Sequence, residues 1–293
     1  MFTTTLLCTP GAQKITSDLA QSICSAWGGR SIKWLAAMEA VEFEILTQPE
    51  NLWQVWAEMQ KIGIDLIVQS SESRRKKILL ADMDSTMIEQ ECIDELAIEA
   101  GVGTHVAGIT ARAMNGELDF EQALNERVEL LKGLSEEIIE QVYQKRVTFM
   151  PGCGTLLATH RAHEGYAALV SGGFTDFTQR VAQALGFNEH RANILLKSNG
   201  LLTGQVSNPI LGREAKVLAL KEISIAQGLT SNDVLAVGDG ANDLGMLKIA
   251  GTGVALHSKP IVQDQVTVRI NYGDLTGLLY LQGFQKSEFV EPT

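Results

Sequence analysis

The sequence predicts an α/β protein: a parallel sheet covered by helices on both faces, carrying a helical insertion and preceded by a smaller α+β unit. Three observations predict it. Strand-length apolar runs at residues 78–81, 167–170 and 234–237 alternate with stretches of helical periodicity. Continuous apolar strands separated by helices form parallel sheets buried on both faces. Between the first two runs lie about 80 residues, from Cys92 to near Arg161, with helical periodicity and little β pattern. That is too long for a simple crossover. Before residue 70 the apolar patterns follow the order strand, helix, strand, strand, helix, strand.

Taken in order, residues 4–8 are a short β-prone run. Residues 16–27 carry Leu19, Ile23 and Trp27 four apart, a helical stripe. Within 32–46, Val41, Phe43 and Ile45 alternate as a half-buried strand does. Pro49-Glu50 opens a helix bearing Leu52, Val55, Trp56 and Met59, and 64–68 closes the unit. That order is ferredoxin-like. The unit, residues 1–72, resembles half of an ACT-type amino-acid-binding module, which makes an amino acid a candidate ligand, although no motif fixes one. All four tryptophans (Trp27, Trp34, Trp53, Trp56) fall here and read as core. The polar stretch 70–77 is a linker. Residues 73–293 form the larger, Rossmann-like unit, with its core at 73–90 and 151–293 and a helical cap at about 91–150.

The 293 residues are 45% hydrophobic and 20% charged, the balance of a globular chain. A net charge of −11 makes polyanionic partners, nucleic acid or an anionic membrane, poor candidates. No apolar run approaches the roughly 18 residues that span a bilayer. The first residues lack the basic segment of a signal peptide. The expected compartment is the cytoplasm. Cys8, Cys24, Cys92 and Cys153 are widely spaced and suggest neither a disulfide framework nor a zinc site.

The chemistry lies just after the apolar runs. Asp82-Met83-Asp84-Ser85-Thr86 follows the first, Ser171-Gly172-Gly173 the second, and Gly238-Asp239-Gly240-Ala241-Asn242-Asp243 the third. Paired carboxylates beside a core are costly without a task, and ligands bind at the carboxyl ends of strands in open α/β sheets. In this order, DxDST, SGG, a lone lysine and GDGAND resemble the haloacid dehalogenase superfamily of phosphotransferases. The run DMDSTMIEQECIDELA is especially similar to the phosphoserine phosphatase family within it. The resemblance covers about residues 77–285 and leaves the N-terminal unit outside.

The resemblance implies roles residue by residue. Asp82 is the nucleophile, splitting hydrolysis into two steps through an aspartyl-phosphate. Asp84 is the general acid and base, and a neighbouring carboxylate raises its pKa. Asp82, the main-chain carbonyl of Asp84, and Asp239 hold Mg²⁺. Asp243 supports the metal's outer shell, or is simply an acid at a helix start. Ser171, with the amides of Gly172 and Gly173, cradles phosphate. Lys216 supplies positive charge there, and Asn242 joins the substrate-binding set.

Substrate choice falls to the cap. Arg127 shares a helical face with Phe120, Leu124 and Leu131. A charge in an apolar stripe needs an anionic partner, or else its stem packs while its head reaches water. By resemblance Arg127 grips a substrate carboxylate, Glu91 meets an ammonium, and Met114 and Phe120 close over the substrate or pack the cap core. Together these describe O-phospho-L-serine, hydrolysed to serine and phosphate as the last step of serine biosynthesis. A phosphatase or phosphotransferase for another small ester, a non-catalytic phosphate-sensing module and a receiver-type phosphoaspartate switch are the rival readings, the last disfavoured by Lys216 and the cap. A homodimer is a further candidate assembly.

Overall fold

A computed structural model describes residues 1–115 and 117–292; the side chain of Met114 also lies outside the described part. The chain starts with β1 (Phe2–Cys8), α1 (Ser17–Ala26), β2 (Arg30–Ala36), β3 (Ala40–Ile45), α2 (Leu52–Lys61) and β4 (Ile64–Ser70). The strands form one antiparallel sheet in the order β2-β3-β1-β4. Thr16 caps α1, its Oγ1 accepting from Leu19 N at 3.2 Å. Pro49 and Glu50 stand just ahead of α2 rather than in it, because Pro49 O closes a turn onto Leu52 N.

β3 is buried on both faces, not one. Val41, Phe43 and Ile45 pack with Ile23, Leu52 and Met59 of the helices. On the other face Leu7, Leu35, Ala40 and Ile67 join the core of the larger unit. The strand alternates polar and apolar residues, yet its polar Glu42 is covered as well, because Arg74 pairs with it at 2.7 Å where the larger unit packs. Trp53 also departs from a core reading: it is 42% exposed, edge-on to Trp56, with the Arg269 guanidinium 4.3 Å from its ring centre.

The larger unit opens with β5 (Ile78–Ala81) and four helices, α3 (Cys92–Glu99), α4 (Gly103–Met114), α5 (Phe120–Glu129) and α6 (Glu137–Arg146). There follow α7 (Cys153–Ala162), β6 (Tyr166–Phe174), α8 (Thr175–Leu185), β7 (Glu189–Asn193), the hairpin β8 (Leu195–Ser198) and β9 (Leu201–Val206), and α9 (Arg213–Ala226). β10 (Val234–Gly238), α10 (Leu244–Ile249), β11 (Thr252–Leu256), α11 (Pro260–Gln263), β12 (Val268–Ile270) and α12 (Gly277–Leu281) complete it. Six strands form a parallel sheet in the order β12-β11-β10-β5-β6-β7. Alternate residues serve opposite faces. Leu79, Leu169, Leu235 and Val237 pack with Leu156, Phe177 and Leu278. Ile78, Leu80, Ala168, Val170 and Ala236 pack with Leu220, Ile223 and Leu247.

The apolar run expected at 167–170 belongs to a longer strand that carries Ser171-Gly172-Gly173 inside it, with the register to β7 broken between Val170 and Phe174. The four helices of the insertion sit beyond the carboxyl ends of the strands. They are joined there by the β8–β9 hairpin, whose Leu202 exchanges main-chain hydrogen bonds with Gly133 and Leu134. The helical cap expected from the sequence comprises the insertion alone; an irregular, half-exposed hairpin has no apolar period by which to see that it packs there.

The two units are tied by buried polar groups. Asp65, fully buried on β4, accepts from the N–H groups of Asn271, Tyr272 and Gly273 at 2.8 to 2.9 Å. Arg74 of the linker pairs with Glu42 at 2.7 Å and donates to Leu281 O. All four cysteines are buried and free. Among the described residues no helix is long and apolar enough to cross a membrane.

Candidate active site

Three adjacent strands, β10, β5 and β6, deliver their carboxyl ends to one place. Asp82 continues β5 by one residue, its N–H donating to Val237 O. A tight turn follows, in which Met87 and Ile88 donate to Met83 O and Ser85 takes a left-handed φ of 54°. This turn points Asp84 back beside Asp82. Asp84 Oδ1 accepts from Cys92 N at 2.9 Å, at the start of α3, and Oδ2 accepts from Ser171 Oγ at 3.3 Å. Gly173 N donates to Ser171 Oγ at 2.8 Å. A Cβ at Gly173 would stand 2.6 Å from Asp84 Oδ2, and one at Gly172 would stand 2.7 Å from the Phe120 ring. A side chain at either position would therefore displace Asp84 or Phe120.

Lys216 lies on the first turn of α9 with no exposed surface. Its Nζ is 2.6 Å from both Asp82 Oδ1 and Asp243 Oδ1. Asp243 Oδ2 accepts from Gly240 N at 3.1 Å, so both its oxygens are engaged. Asp239 differs: among the described residues both its carboxylate oxygens are buried without a hydrogen-bond partner, and Lys259 Nζ is 3.7 Å away. Asn242 Oδ1 is buried and unpartnered too.

Asp82, Asp84, Ser171 and Asn242 line a cavity of about 290 Å³ together with Glu91, Phe120 and Arg127. Glu91, just before α3, accepts from Ser85 Oγ at 2.7 Å. Arg127 is buried on α5, donating from Nε to Ala123 O and from Nη1 to Thr110 Oγ1. Phe120, half-buried, sits between the Gly172 and Gly212 backbones. Arg127 and Leu124, which helical spacing sets on one face, are both buried; Met114 lies on α4, with its side chain outside the described residues.

The electrostatics follow from burial. Asp82, Asp84, Asp239 and Asp243 are four buried carboxyl groups sharing one buried ammonium. Burial raises the pKa of Asp82, helped by repulsion from Asp243, and raises that of Asp84. Burial also raises Asp239, helped by repulsion from Glu91. Glu91 is pushed up to about 7 by burial and by the nearby Asp84. Burial would lower Lys216, but Asp243 and Asp82 outweigh it and the ammonium is held more firmly than usual.

Residues 79–248 match the family model for haloacid dehalogenase-like hydrolases, more than half the chain. The chain belongs to the haloacid dehalogenase-like hydrolase family. This hydrolase is 46% identical over 203 residues to the phosphoserine phosphatase of Streptococcus thermophilus, covering 69% of this chain and 94% of that one. It is 41% identical over 223 residues to the phosphoserine phosphatase of Archaeoglobus fulgidus, covering 75% of this chain but 64% of that longer protein. The crystal structure of a hydrolase of the same family from Salmonella enterica serovar Typhi superposes with a TM-score of 0.85 at 27% identity, over 96% of this chain and 98% of that one. That likeness takes in the N-terminal unit as well.

Asp82, Asp239 and Asp243 of this hydrolase each offer an oxygen within 4.8 Å of the others. Orphaned buried carboxylate oxygens at Asp239, in a cluster of excess negative charge, fit a hard divalent cation that takes oxygen ligands.

Two neighbours of the site escaped the sequence reading. Asn193, buried at the end of β7, donates to Gly172 O at 2.8 Å and to Leu211 O at 3.2 Å, and accepts from Leu211 N at 2.7 Å. It braces the glycine turn of β6 against the loop leading to Lys216. Its one visible signal is an amide ending a strand at the same sheet edge. Thr110, buried on α4 against Arg127, carried no signal at all.

Proposed function

We propose that this chain is a phosphoserine phosphatase, hydrolysing O-phospho-L-serine to serine and phosphate as the last step of serine biosynthesis in the cytoplasm. The observation that carries the reading is one cavity lined both by the Asp82–Asp84 pair and by Glu91 and Arg127. The first pair suits phosphoryl transfer, the second a zwitterionic amino-acid ester. The names of the relatives support the same substrate.

Asp82 attacks phosphorus as the ester P–O bond breaks, and Asp84 gives its proton to the departing serine oxygen. A carboxyl whose pKa burial has raised can hold that proton near neutral pH. Asp84 then takes a proton from water as the water attacks the aspartyl-phosphate, freeing phosphate and restoring Asp82. Ser171 Oγ, the amides of Gly172 and Gly173, Asn242 and Lys216 orient and neutralise the phosphoryl oxygens. Asp82, the Asp84 carbonyl and Asp239 would hold Mg²⁺, with Asp243 fixed behind them by Lys216 and Gly240. Bound there, Mg²⁺ supplies charge that offsets repulsion between the carboxylate nucleophile and the phosphate.

Arg127 takes the substrate carboxylate and Glu91 its ammonium, while Phe120 and Met114 close over it. Residues 91–150 act as the cap over the core at 73–90 and 151–293, and residues 1–72 as a separate module with an amino acid as its candidate ligand. A homodimer is the proposed assembly. The test is metal-dependent release of phosphate from L-phosphoserine, compared with an aryl phosphate and with acceptor alcohols present. Phosphoserine preferred and hydrolysed is the expected result; phosphate passed mainly to the alcohol would replace hydrolase by transferase.

A further inference from the structure

The guanidinium of Arg127 is held by neutral oxygens alone among the described residues, the Ala123 carbonyl at 3.0 Å and the Thr110 hydroxyl at 2.9 Å. It is nonetheless buried, with 6% of its surface exposed. Glu91 and Asp94 act on it through space, Glu91 more strongly, and Asp94 is also linked to it by hydrogen bonds through Thr110, whose hydroxyl donates to Asp94 Oδ1 at 2.6 Å. A hydroxyl has one proton and spare lone pairs. Giving the proton to Asp94 leaves only lone pairs toward Arg127, so Thr110 can act there solely as an acceptor.

We infer that Thr110, polarised by Asp94, is a specificity-determining positioning residue that aims the Arg127 guanidinium at the substrate carboxylate. The inference rests on the proposed function and deepens it. A carboxylate in direct contact with Arg127 would form a bidentate pair and use up the fork that the substrate needs. A hydroxyl placed between acid and guanidinium stabilises the buried charge through one N–H; with Nε given to Ala123 O, Nη2 has no hydrogen-bond partner among the described residues and faces no competing acid there. The relay also links three cap helices: Asp94 on α3, Thr110 on α4 and Arg127 on α5. The arginine's aim therefore depends on how the cap is assembled.

Thr110→Val removes the hydroxyl and keeps the shape, and Thr110→Ser keeps the hydroxyl. The readout is the ratio of kcat/KM on L-phosphoserine to kcat/KM on an aryl phosphate, which has no carboxylate. In Thr110→Val this ratio falls about tenfold or more, through a higher KM for phosphoserine, as expected for one hydrogen bond to a charged group. Thr110→Ser restores it. A Thr110→Val ratio equal to that of the wild type, whether both activities hold or both fall together, overturns the inference and leaves Thr110 as cap packing. A Thr110→Ser variant no better than Thr110→Val also overturns it. A wild type with no preference for phosphoserine sinks the proposed substrate itself, and is seen before any variant is made.

Discussion

The Nζ of Lys216 stands 2.6 Å from Oδ1 of Asp243, and neither side chain has any exposed surface. The same ammonium lies 2.6 Å from Asp82, whose side chain is also buried. One lysine thus bridges the proposed nucleophile and the carboxylate behind it. Asp239, by contrast, has no hydrogen-bond partner among the described residues, and Lys259 stands 3.7 Å away. The cluster is arranged so that the lysine fixes one side while the other side stays available to a cation.

Lys216→Met should therefore harm both stability and turnover. Removing one partner of a buried ion pair costs about 3–5 kcal/mol. Urea unfolding without divalent metal is expected to show a loss of that order near neutral pH. The loss should shrink on acidification, because burial has raised the pKa of Asp82 and its neutral form needs no counter-ion. Turnover should fall by about a hundredfold or more, as when a transition-state donor is deleted. Unchanged stability would show that the carboxyls find other partners.

Glu91 sets a pH dependence that is specific to substrate. Its pKa is about 7, raised by burial and by Asp84. As pH falls through 7 the carboxylate becomes neutral and its attraction for an ammonium is lost. KM for phosphoserine should rise on going from pH 8 to pH 6 by about tenfold, the worth of one charge-assisted contact. KM for an aryl phosphate should not follow that rise, and Glu91→Gln should flatten the phosphoserine profile. Parallel profiles for the two substrates would remove Glu91 from ammonium recognition.

Arg127→Ala removes the proposed carboxylate receptor. The kcat/KM ratio of phosphoserine to aryl phosphate should fall by about a hundredfold, the scale of a bidentate charged pair. Equal loss on both substrates would mean that Arg127 only packs the cap.

Asn193→Ala leaves two main-chain carbonyls and one N–H without their partner. An unsatisfied buried group costs about 1–3 kcal/mol. The turn carrying Gly172 and the loop before α9 should loosen together. The expected outcome is a drop in kcat of about tenfold or more, with weaker inhibition by inorganic phosphate. Asn193→Asp keeps the acceptor for Leu211 N but places a carboxylate against two carbonyl oxygens, so it should be no better. Full activity in Asn193→Ala would show that the glycine turn holds itself.

What was legible in the sequence was what is encoded locally. Asp82, Asp84 and Asp239 stand out because charge directly after an apolar run conflicts with burial. Arg127 stands out because helical spacing alone sets it on the face of Leu124 and Leu131. The second burial of β3 was hidden, since Glu42 looks solvated until Arg74 and the larger unit are folded against the sheet. The β8–β9 hairpin, Asn193 and Thr110 were hidden for a related reason. Each acts through partners distant in the chain or a full helix away, and no residue type or spacing marks such a contact in advance.

The most direct test is phosphate release from L-phosphoserine by the wild type and by Asp82→Asn, each with and without Mg²⁺. The account predicts release by the wild type that requires Mg²⁺, and none above background from Asp82→Asn. Release by Asp82→Asn at a rate near that of the wild type would contradict Asp82 as the nucleophile.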